Sequence, residues 1–281
     1  MYIQSAEFLT LNNLEPAYIH NKRVLFREDF NVPICNGVIT SDLRIRAALP
    51  GIKQALQANA IVMLMSHLGR PTAGVWQEQF SLYPVVKVLE QLLNMPIQFI
   101  TDWFTTAIDP KAKLIVFENV RFLIGETDNN QNLAHNMAEL CDIFVMDAFG
   151  SAHRAHASTV GVATLAPMAV AGPLLASEIA ALNKIMLNPS KPVVAVIGGA
   201  KVSTKLVALQ TLTKICDVLI IGGGMANTLL AAQGYPIGAS LYEPDLIPEA
   251  EKLIALAIER NCKISLRSEE HTSELQSHHV I

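Results

Sequence analysis

Short apolar runs alternate with longer amphipathic segments along the first half of the chain. The runs are apolar along their whole length, which is typical of strands that helices cover on both faces of a parallel sheet. The longer segments carry apolar residues at helical spacing. The predicted strands are Val24–Phe26, Ile61–Met65, Ile97–Ile100, Leu114–Phe117 and Ile143–Met146, and the predicted helices are Leu43–Asn59, Tyr83–Leu93 and Leu133–Leu140. Proline lacks the N–H that a helix interior uses, so Pro50 should kink the first helix or divide it.

A second series of the same kind begins near Pro189. The run VVAVIGG precedes a predicted helix, AKVSTKLVALQTLTK, and the run DVLIIGGG precedes another, MANTLLAAQG. Between the two series, Leu174–Leu187 has helical periodicity, with Gly172 and Pro173 at its start. We therefore predict an α/β fold with two Rossmann-like three-layer domains on parallel sheets, the second incomplete. The predicted limits are residues 1–173 for the first domain, 174–188 for a connecting hinge helix and 189–266 for the second domain.

The composition changes after Leu266, where the chain ends in RSEEHTSELQSHHVI. This segment is rich in Ser, Glu and His, and it continues no visible strand or helix. It resembles translated adapter sequence, so we interpret residues 267–281 as a non-native tail and exclude them from reasoning about function.

Composition excludes several classes of protein. Apolar residues make up 51% of the chain and charged residues 16%, which is ample for a buried core. A net charge of -4 argues against general affinity for nucleic acid, which needs a basic excess. The cysteines lie far apart without a CxxC pair, so neither a zinc site nor a redox motif is indicated.

Two uncharged stretches are long enough to be mistaken for membrane helices, Ala157–Ser177 and Val218–Tyr242. Both contain glycine and proline, which would leave backbone groups unpaired in lipid, so we predict no membrane segment. The N-terminus has no basic region followed by an apolar one, and no secretory signal is visible. We therefore expect a cytoplasmic protein.

Polar side chains follow several of the predicted strands. Arg27, Asp29 and Asn31 occupy alternate positions after the first strand, so a period of two places them on one side. Similar strand exits at SHLGR, ENVRF and DAFGSAHRAH each carry an arginine. In this architecture ligands bind beyond the carboxyl ends of the strands. The predicted members of an anion site are Arg44, Arg70, Arg121, Arg154, His67, Asp29 and Asn31.

Guanidinium groups donate two hydrogen bonds at once to phosphate or carboxylate, which is why converging arginines indicate an anion. Taken singly, each arginine is better explained as a solvated surface charge. Asp29 is compatible with ligand contact or with organising the arginines through an ion pair. His153 and His156 are three residues apart, but no third metal ligand has suitable spacing.

The second series carries VVAVIGGAKVSTK, a strand that ends in two glycines before a predicted helix. Lys201 and Lys205 are four apart and would share one face of that helix, where they could stabilise a migrating anion. A helix N-terminus also attracts phosphate. Two solvated lysines remain the alternative. Neither glycine-rich turn matches GxxxxGK[ST] or GxGxxG, and the protein-kinase motifs HRD and DFG are absent, so a phosphoryl transferase here must be of another type.

Seven ordered segments together resemble the phosphoglycerate kinase family. They are REDFNVP, TSDLRIRAALP, SHLGRP, ENVRF, DAFGSAHRAHAS, GGAKVSTK and GGGMANT, within a match from about Tyr2 to Leu266. Glu28 stands where many members have valine. The resemblance implies a two-domain, monomeric, cytoplasmic enzyme of glycolysis that transfers a phosphoryl group between 1,3-bisphosphoglycerate and ADP, giving 3-phosphoglycerate and ATP with Mg²⁺.

The resemblance also implies roles for particular residues. Arg44, Lys201 and Lys205 would be catalytic. The phosphoglycerate-binding residues of the first domain would be Asp29, Asn31, Arg44, His67, Leu68, Gly69, Arg70, Arg121 and Arg154. The nucleotide-binding residues of the second domain would be Gly199, Ala200, Lys201, Lys205, Gly223 and Gly224. No metal ligand is identified.

The family continues its nucleotide domain with further strands, a later glycine-rich turn and acidic contacts to nucleotide and magnesium, none of which follows here. The alternative hypothesis is therefore a truncated chain that only binds 3-phosphoglycerate, without turnover. A Rossmann-type dehydrogenase is a weaker alternative, because the glycine fingerprint and the acidic ribose partner are missing.

Overall fold

The computed structural model describes residues 8–187 and 189–266. The chain has an α/β fold with parallel sheets, as predicted, and it divides into two compact units, Met1–Leu182 and Asn183–Ile281. The division falls inside the helix predicted to connect the domains. The predicted tail, residues 267–281, lies outside the described residues.

The described part of unit 1 contains eight strands and seven α-helices. The strands are β1 Arg23–Glu28, β2 Ile34–Cys35, β3 Val38–Ile39, β4 Ile61–Ser66, β5 Gln98–Ile100, β6 Leu114–Phe117, β7 Ile143–Met146 and β8 Ala169–Ala171. The α-helices are α1 Pro16–Ile19, α2 Leu43–Gln57, α3 Tyr83–Leu93, α4 Gln131–Glu139, α5 Phe149–Ala152, α6 Val162–Leu165 and α7 Pro173–Leu187, the last of which crosses the division between the units.

Six of these strands form one parallel sheet in the order β5-β6-β4-β1-β7-β8. Alternate residues of β1 pack on opposite faces: Val24 and Phe26 belong to one apolar core, and Leu25 belongs to the other. Both faces of the sheet are therefore covered, which explains why its central strands are apolar along their whole length.

The sheet order changes direction at β1, which pairs with β4 on one side and with β7 on the other. The carboxyl ends of these parallel strands meet at one edge of the sheet. Ligand sites in open α/β sheets lie beyond that edge, at the strand where the order reverses. The segments that follow β1, β4, β6 and β7 carry the predicted arginines.

Unit 2 has a three-stranded parallel sheet in the order β11-β10-β9. Its elements are β9 Val194–Gly198, α8 Leu206–Leu212, β10 Val218–Gly222, α9 Gly224–Ala232, α10 Ile247–Glu259 and β11 Lys263–Leu266. Leu219 and Ile221 of β10 pack in the core beneath the helices. On the other face of the sheet, Val194, Val196 and Ile220 are exposed.

Three predictions about elements are wrong in part. Pro50 does not divide α2, which runs as one helix from Leu43 to Gln57. Arg27 does not follow the first strand but lies inside β1 with its side chain buried. The helix predicted to begin at Ala200 begins only at Leu206, so Lys201 and Lys205 do not share a helical face.

A contact distant in sequence accounts for the late start of α8. Ser203 donates its backbone N–H to Glu243 Oε2 over 3.0 Å and its hydroxyl to Glu243 Oε1 over 2.6 Å. Thr204 donates its hydroxyl to the carbonyl of Lys201. Side-chain hydrogen bonds of this kind compete with the helical pattern and favour a turn.

Eight strands and α-helices in the described residues were not predicted. They are the strands β2, β3, β8 and β11 and the helices α1, α5, α6 and α10. In the described part of the chain, we find no helix with the length and apolar character needed to span a bilayer.

Candidate functional site: a cavity lined by arginines

Three of the predicted arginines line one cavity of unit 1. Arg70, Arg121 and Arg154 surround a volume of about 450 Å³, although they come from three different segments of the chain. The other lining residues are Pro71, Ala73, Leu123, Glu126, Thr127 and His156. Three guanidinium groups at one cavity suit an anion that can accept several charge-assisted hydrogen bonds.

Arg121 is placed by a short 3-10 helix after β6. The side chain of Asn119 caps this helix by accepting the backbone N–H of Arg121 over 3.0 Å. The same amide group accepts from the backbone N–H of Leu68 and donates to its carbonyl. The guanidinium of Arg121 donates to the carbonyl of Gly69. Leu68 and Gly69 are therefore tied to the segment that carries Arg121.

Asp29 and Asn31 organise neighbouring residues of the predicted site. Asp29 forms an ion pair with Arg44 of α2, and it accepts the backbone N–H of Asn31 over 3.2 Å. Asn31 Oδ1 accepts the backbone N–H of Gly69 over 2.8 Å. Neither side chain, nor that of Arg44, lines the cavity. The ion pair corresponds to one of the two roles that the sequence left open for Asp29.

His67 lies buried beside the arginines, with 7% of its surface exposed. Burial lowers the pKa of His67 to about 2, and positive charges nearby add to the effect. These charges belong to Arg27, Arg121, Arg154 and Arg44. Arg44 therefore acts on the same buried ring as the cavity arginines. The imidazole is neutral throughout the physiological pH range.

The cavity arginines repel one another. Burial lowers the pKa of Arg121, and the charges of Arg154 and Arg70 lower it further. Glu126 lines the same cavity, and its negative charge offsets part of the repulsion between the arginines. Burial raises the pKa of Glu126 itself. An anion with two negative charges would relieve the remainder, which favours occupancy by a ligand such as a phosphate ester.

Sequence reasoning missed a buried layer beneath the cavity. Arg27 Nε donates to Ser158 Oγ over 2.9 Å, and Ser158 donates its hydroxyl to Glu126 Oε1 over 2.6 Å. His156 Nδ1 lies 3.7 Å from the same carboxylate oxygen. Arg27 stood in the polar pattern after the first strand, and Ser158 ends the segment DAFGSAHRAHAS, but nothing in the sequence connects Ser158 with Glu126.

In unit 2 the two glycine-rich turns pack against each other. The backbone N–H of Met225 donates to the carbonyl of Gly199 over 3.1 Å. A Cβ atom on Gly223 would lie 2.8 Å from the Gly199 carbonyl oxygen, and one on Gly224 would lie 2.5 Å from that of Ala200. Glycine is required at both positions for this close approach, whatever else the turns bind.

Lys201 and Lys205 are both exposed in the segment that follows Gly199 and Ala200. Lys205 forms the N-cap position of α8, and its backbone N–H donates to the carbonyl of Val202. Both ammonium groups are accessible to an anionic ligand.

A metal site of the protein's own is not formed by the described residues. They contain no group of three or more His, Cys, Asp or Glu side chains placed to hold a metal ion. The pair His153 and His156 gains no third ligand among these residues.

The chain matches the family model for phosphoglycerate kinase over residues 14–279. The phosphoglycerate kinase of Legionella pneumophila strain Corby is 55% identical over 248 residues, which are 88% of this chain and 63% of that protein. The protein of strain Lens is 54% identical over the same length and the same shares. The chain thus spans 63% of the length of these curated relatives.

Solved structures of phosphoglycerate kinases resemble the chain throughout its fold. The structure from Coxiella burnetii has a TM-score of 0.83 and 52% sequence identity, covering 92% of this chain and 66% of that one. The structure from Pyrococcus horikoshii OT3 has a TM-score of 0.73 and 27% identity, covering 91% of this chain and 67% of that one. On its sequence and its fold, the chain belongs to the phosphoglycerate kinase family.

Proposed function

We propose that the protein transfers a phosphoryl group between 1,3-bisphosphoglycerate and ADP, giving 3-phosphoglycerate and ATP in glycolysis. One observation carries this proposal beyond membership of the family: Arg70, Arg121 and Arg154 line a single cavity of unit 1. A three-carbon phosphate ester with a carboxylate supplies two anionic groups for these guanidinium forks.

Unit 1 would bind the phosphoglycerate. The cavity arginines would contact its anionic groups, and the neutral ring of His67 would add a hydrogen bond without adding charge. Arg44 would stabilise the transferring group, while Asp29 and Asn31 would hold Arg44 and Gly69 in place. Charge-assisted hydrogen bonds contribute about 1.5 to 3 kcal/mol each, so three of them would support specific binding.

Unit 2 would bind the nucleotide. The turn containing Gly199 and Ala200 would approach the phosphates, and Lys201 and Lys205 would neutralise the migrating phosphoryl group. Gly223 and Gly224 would act by keeping the second turn close to the first.

Transfer of this kind needs no covalent enzyme intermediate. The attacking and leaving oxygens align with the phosphorus, and catalysis comes from positioning and from stabilising charge on three equatorial oxygens. Cationic groups that do not transfer protons, such as arginine and lysine, suit that requirement.

Mg²⁺ would accompany the nucleotide as its phosphate complex rather than occupy a site built by the described residues. We further propose that the protein is cytoplasmic and monomeric. Its partners would be 3-phosphoglycerate or 1,3-bisphosphoglycerate and ADP or ATP, with no nucleic acid and no membrane among them.

A second candidate is a binding module for 3-phosphoglycerate without turnover. Every residue that lines the cavity belongs to unit 1, so binding of the phosphoglycerate would need only that unit. Such a chain would bind the phosphoglycerate independently of nucleotide.

A coupled ATP-forming assay with 1,3-bisphosphoglycerate and Mg-ADP tests the proposed activity. Arg44→Ala should abolish turnover, whereas Arg46→Ala on the same helix should not, because Arg46 pairs with Asp42 by an exposed i,i+4 contact. Lys201→Ala should likewise abolish turnover, with Lys214→Ala as its matched control. Calorimetric binding of 3-phosphoglycerate without any ATP formation would instead support the binding module.

A further inference from the structure

A chain of hydrogen bonds runs beneath the arginine cavity and ends on His67. Glu126 accepts from the Ser158 hydroxyl, and Ser158 Oγ accepts from Arg27 Nε. Arg27 Nη2 then lies 3.3 Å from His67 Nδ1. The four side chains come from the loop after β6, the helical turn after α5, strand β1 and the end of β4. All four are buried, with at most 7% of any one exposed.

Arg27 cannot act as an ordinary anion ligand. Only 1% of it is exposed, and each of its three nitrogens already has a protein partner. Nε donates to Ser158, Nη1 donates to the carbonyl of Glu28, and Nη2 contacts His67. Arg27 therefore influences a ligand only through the residues it holds.

The contact with Arg27 fixes the position of the proton on His67. A guanidinium is always protonated and has no acceptor, so Nη2 must donate and His67 Nδ1 must accept. The proton of the neutral ring then lies on Nε2, which has no hydrogen-bond partner among the described residues. A directional N–H donor is left free for a ligand.

We propose that Arg27, held by Ser158 and Glu126, is a positioning residue that keeps His67 as the Nε2–H tautomer for hydrogen bonding to the bound phosphoglycerate. The benefit to substrate binding rests on the proposed function, whereas the tautomer does not. His67 contributes a donor whose strength does not change near neutral pH. A protonated ring would instead face Arg27 from β1, Arg44 from α2, and Arg121 and Arg154 from the segments after β6 and α5.

The tautomer is measured in the ligand-free 281-residue chain by long-range ¹H–¹⁵N spectra of the histidine rings, with His67→Gln to assign the signals. We expect the Nε2–H pattern, unchanged between pH 5.5 and pH 8. An Nδ1–H pattern, or protonation of the ring within that range, would overturn the proposal. This measurement needs no enzymatic activity, and the tautomer itself is read from the unsubstituted chain.

The coupling to substrate is measured by calorimetry with 3-phosphoglycerate. Ser158→Ala removes the acceptor for Arg27 Nε, and it should weaken binding about threefold to tenfold, the usual range for one hydrogen bond. In a His67→Gln background the same change should alter binding less than about twofold, because the group that Arg27 positions is already gone. Equal losses in both backgrounds would mean that Ser158 acts only on general structure, and would overturn the proposal.

Ser151→Ala is the matched control for this cycle. Ser151 is equally buried, and its hydroxyl has no hydrogen-bond partner among the described residues, so binding should not change. If the wild-type chain fails to bind 3-phosphoglycerate, the proposed function is lost, while the ring spectra still decide the tautomer.

Discussion

Glu28 lies fully buried in β1, and neither of its carboxylate oxygens has a hydrogen-bond partner among the described residues. Burial raises the pKa of this carboxyl well above its ordinary value, and the charge of Asp147 raises it further. Burial therefore favours the protonated form of Glu28. A buried polar group without partners costs stability, and an apolar residue such as valine would remove that cost.

Glu28→Val should raise the free energy of unfolding by about 1 kcal/mol, after part of the gain is offset by the smaller volume of valine. Urea unfolding followed by circular dichroism at pH 7 measures the change. Glu28→Gln is the control, since it keeps the size and the unpaired polar groups and should change stability little. A valine variant less stable than the glutamine variant would contradict the role given to the unpaired carboxyl.

Arg154→Ala should weaken binding of 3-phosphoglycerate about tenfold to a hundredfold, because one charge-assisted contact at the cavity is lost. Isothermal calorimetry measures the affinity. Arg23→Ala offers a matched control, since Arg23 pairs with Asp142 and does not line the cavity. Equal affinities for the Arg154 variant and the wild type would remove this residue from the proposed site.

At the scale of elements, Asp147 links the end of β7 to the start of α7. Its Oδ1 accepts the backbone N–H of Leu175 over 2.9 Å, while its Oδ2 has no partner among the described residues. A Cβ atom on Gly172 would lie 2.2 Å from the carboxyl carbon, so the acid is closely packed. Burial raises the pKa of Asp147 to about 6.

This raised pKa gives a pH dependence of known sign. The folded chain binds the Asp147 proton more tightly than the unfolded chain does, so protonation of Asp147 stabilises the fold. This contribution is complete below the ordinary pKa of 3.8 and is lost as pH rises through the folded-state pKa of about 6. The difference between these two pKa values corresponds to a change of at most about 3 kcal/mol in the free energy of unfolding. Asp147→Asn keeps the capping oxygen and should make the decline smaller by the contribution of Asp147, as measured by urea unfolding between pH 4 and pH 7.

Asp142→Asn is the control of opposite sign. The hydrogen bond from Arg23 lowers the pKa of Asp142 in the folded chain. The contribution of Asp142 to the free energy of unfolding is therefore present above the pKa of the unfolded chain and is lost as pH falls. The asparagine variant should therefore lose stability at pH 7. Identical pH profiles for the Asp147 variant and the wild type would contradict the assignment of the decline to Asp147.

The turn after β4 depends on glycine for two separate reasons. Gly69 has a positive φ of 61°, and a Cβ atom there would lie 2.3 Å from the ring of Phe80. Gly37 has a positive φ of 75°, but an added Cβ would meet nothing within 4 Å. Comparing the two positions separates backbone strain from steric overlap.

Gly37→Ala should lower the free energy of unfolding by about 1 kcal/mol, the cost of a left-handed conformation for alanine. Gly69→Ala should cost about 2 to 4 kcal/mol, because the ring must also move. It should weaken 3-phosphoglycerate binding as well, since Gly69 is held by both Asn31 and Arg121. Equal costs at the two positions, from urea unfolding, would show that the overlap is relieved cheaply.

The sequence predicts those elements whose causes are local. Strands such as β6 and β7 are readable because burial on both faces makes them wholly apolar, and their parallel arrangement predicts where the arginines converge. Helix α10 was equally readable, since Ala250, Leu253 and Ala257 lie at helical spacing. The late start of α8 was not, because it depends on a contact between residues 40 apart in the chain.

The same distinction applies to the site. Arg70, Arg121 and Arg154 follow from strand order and from their motifs. The pair of Glu126 with Ser158 joins residues 32 apart, and no periodicity connects them. The roles of all these residues in binding and catalysis remain predictions that the experiments above address.

At the scale of the whole molecule, the two units differ in how completely their sheets are covered. Both faces of the unit 1 sheet are packed in apolar cores. In unit 2 one sheet face is packed, while Val194, Val196 and Ile220 are exposed on the other, and β9 is an edge strand of the described sheet. Adjacent exposed apolar side chains on an edge strand favour association between copies.

Although we propose a monomer as the functional form, we expect the isolated 281-residue chain to self-associate through this face as its concentration rises, and Val196→Lys to reduce that association. Val196 is 75% exposed, so lysine disturbs no packing, while its charge at the centre of the apolar face opposes pairing of sheets and edges. Val207→Lys is the control. Val207 is 77% exposed on α8, so this substitution adds the same charge at a site away from the strand. Size-exclusion chromatography with light scattering measures the mass of each variant over a range of concentrations. If both variants associate as the wild type does, another surface is responsible for the association. If both variants associate less than the wild type by the same amount, net charge governs the association instead of the sheet face.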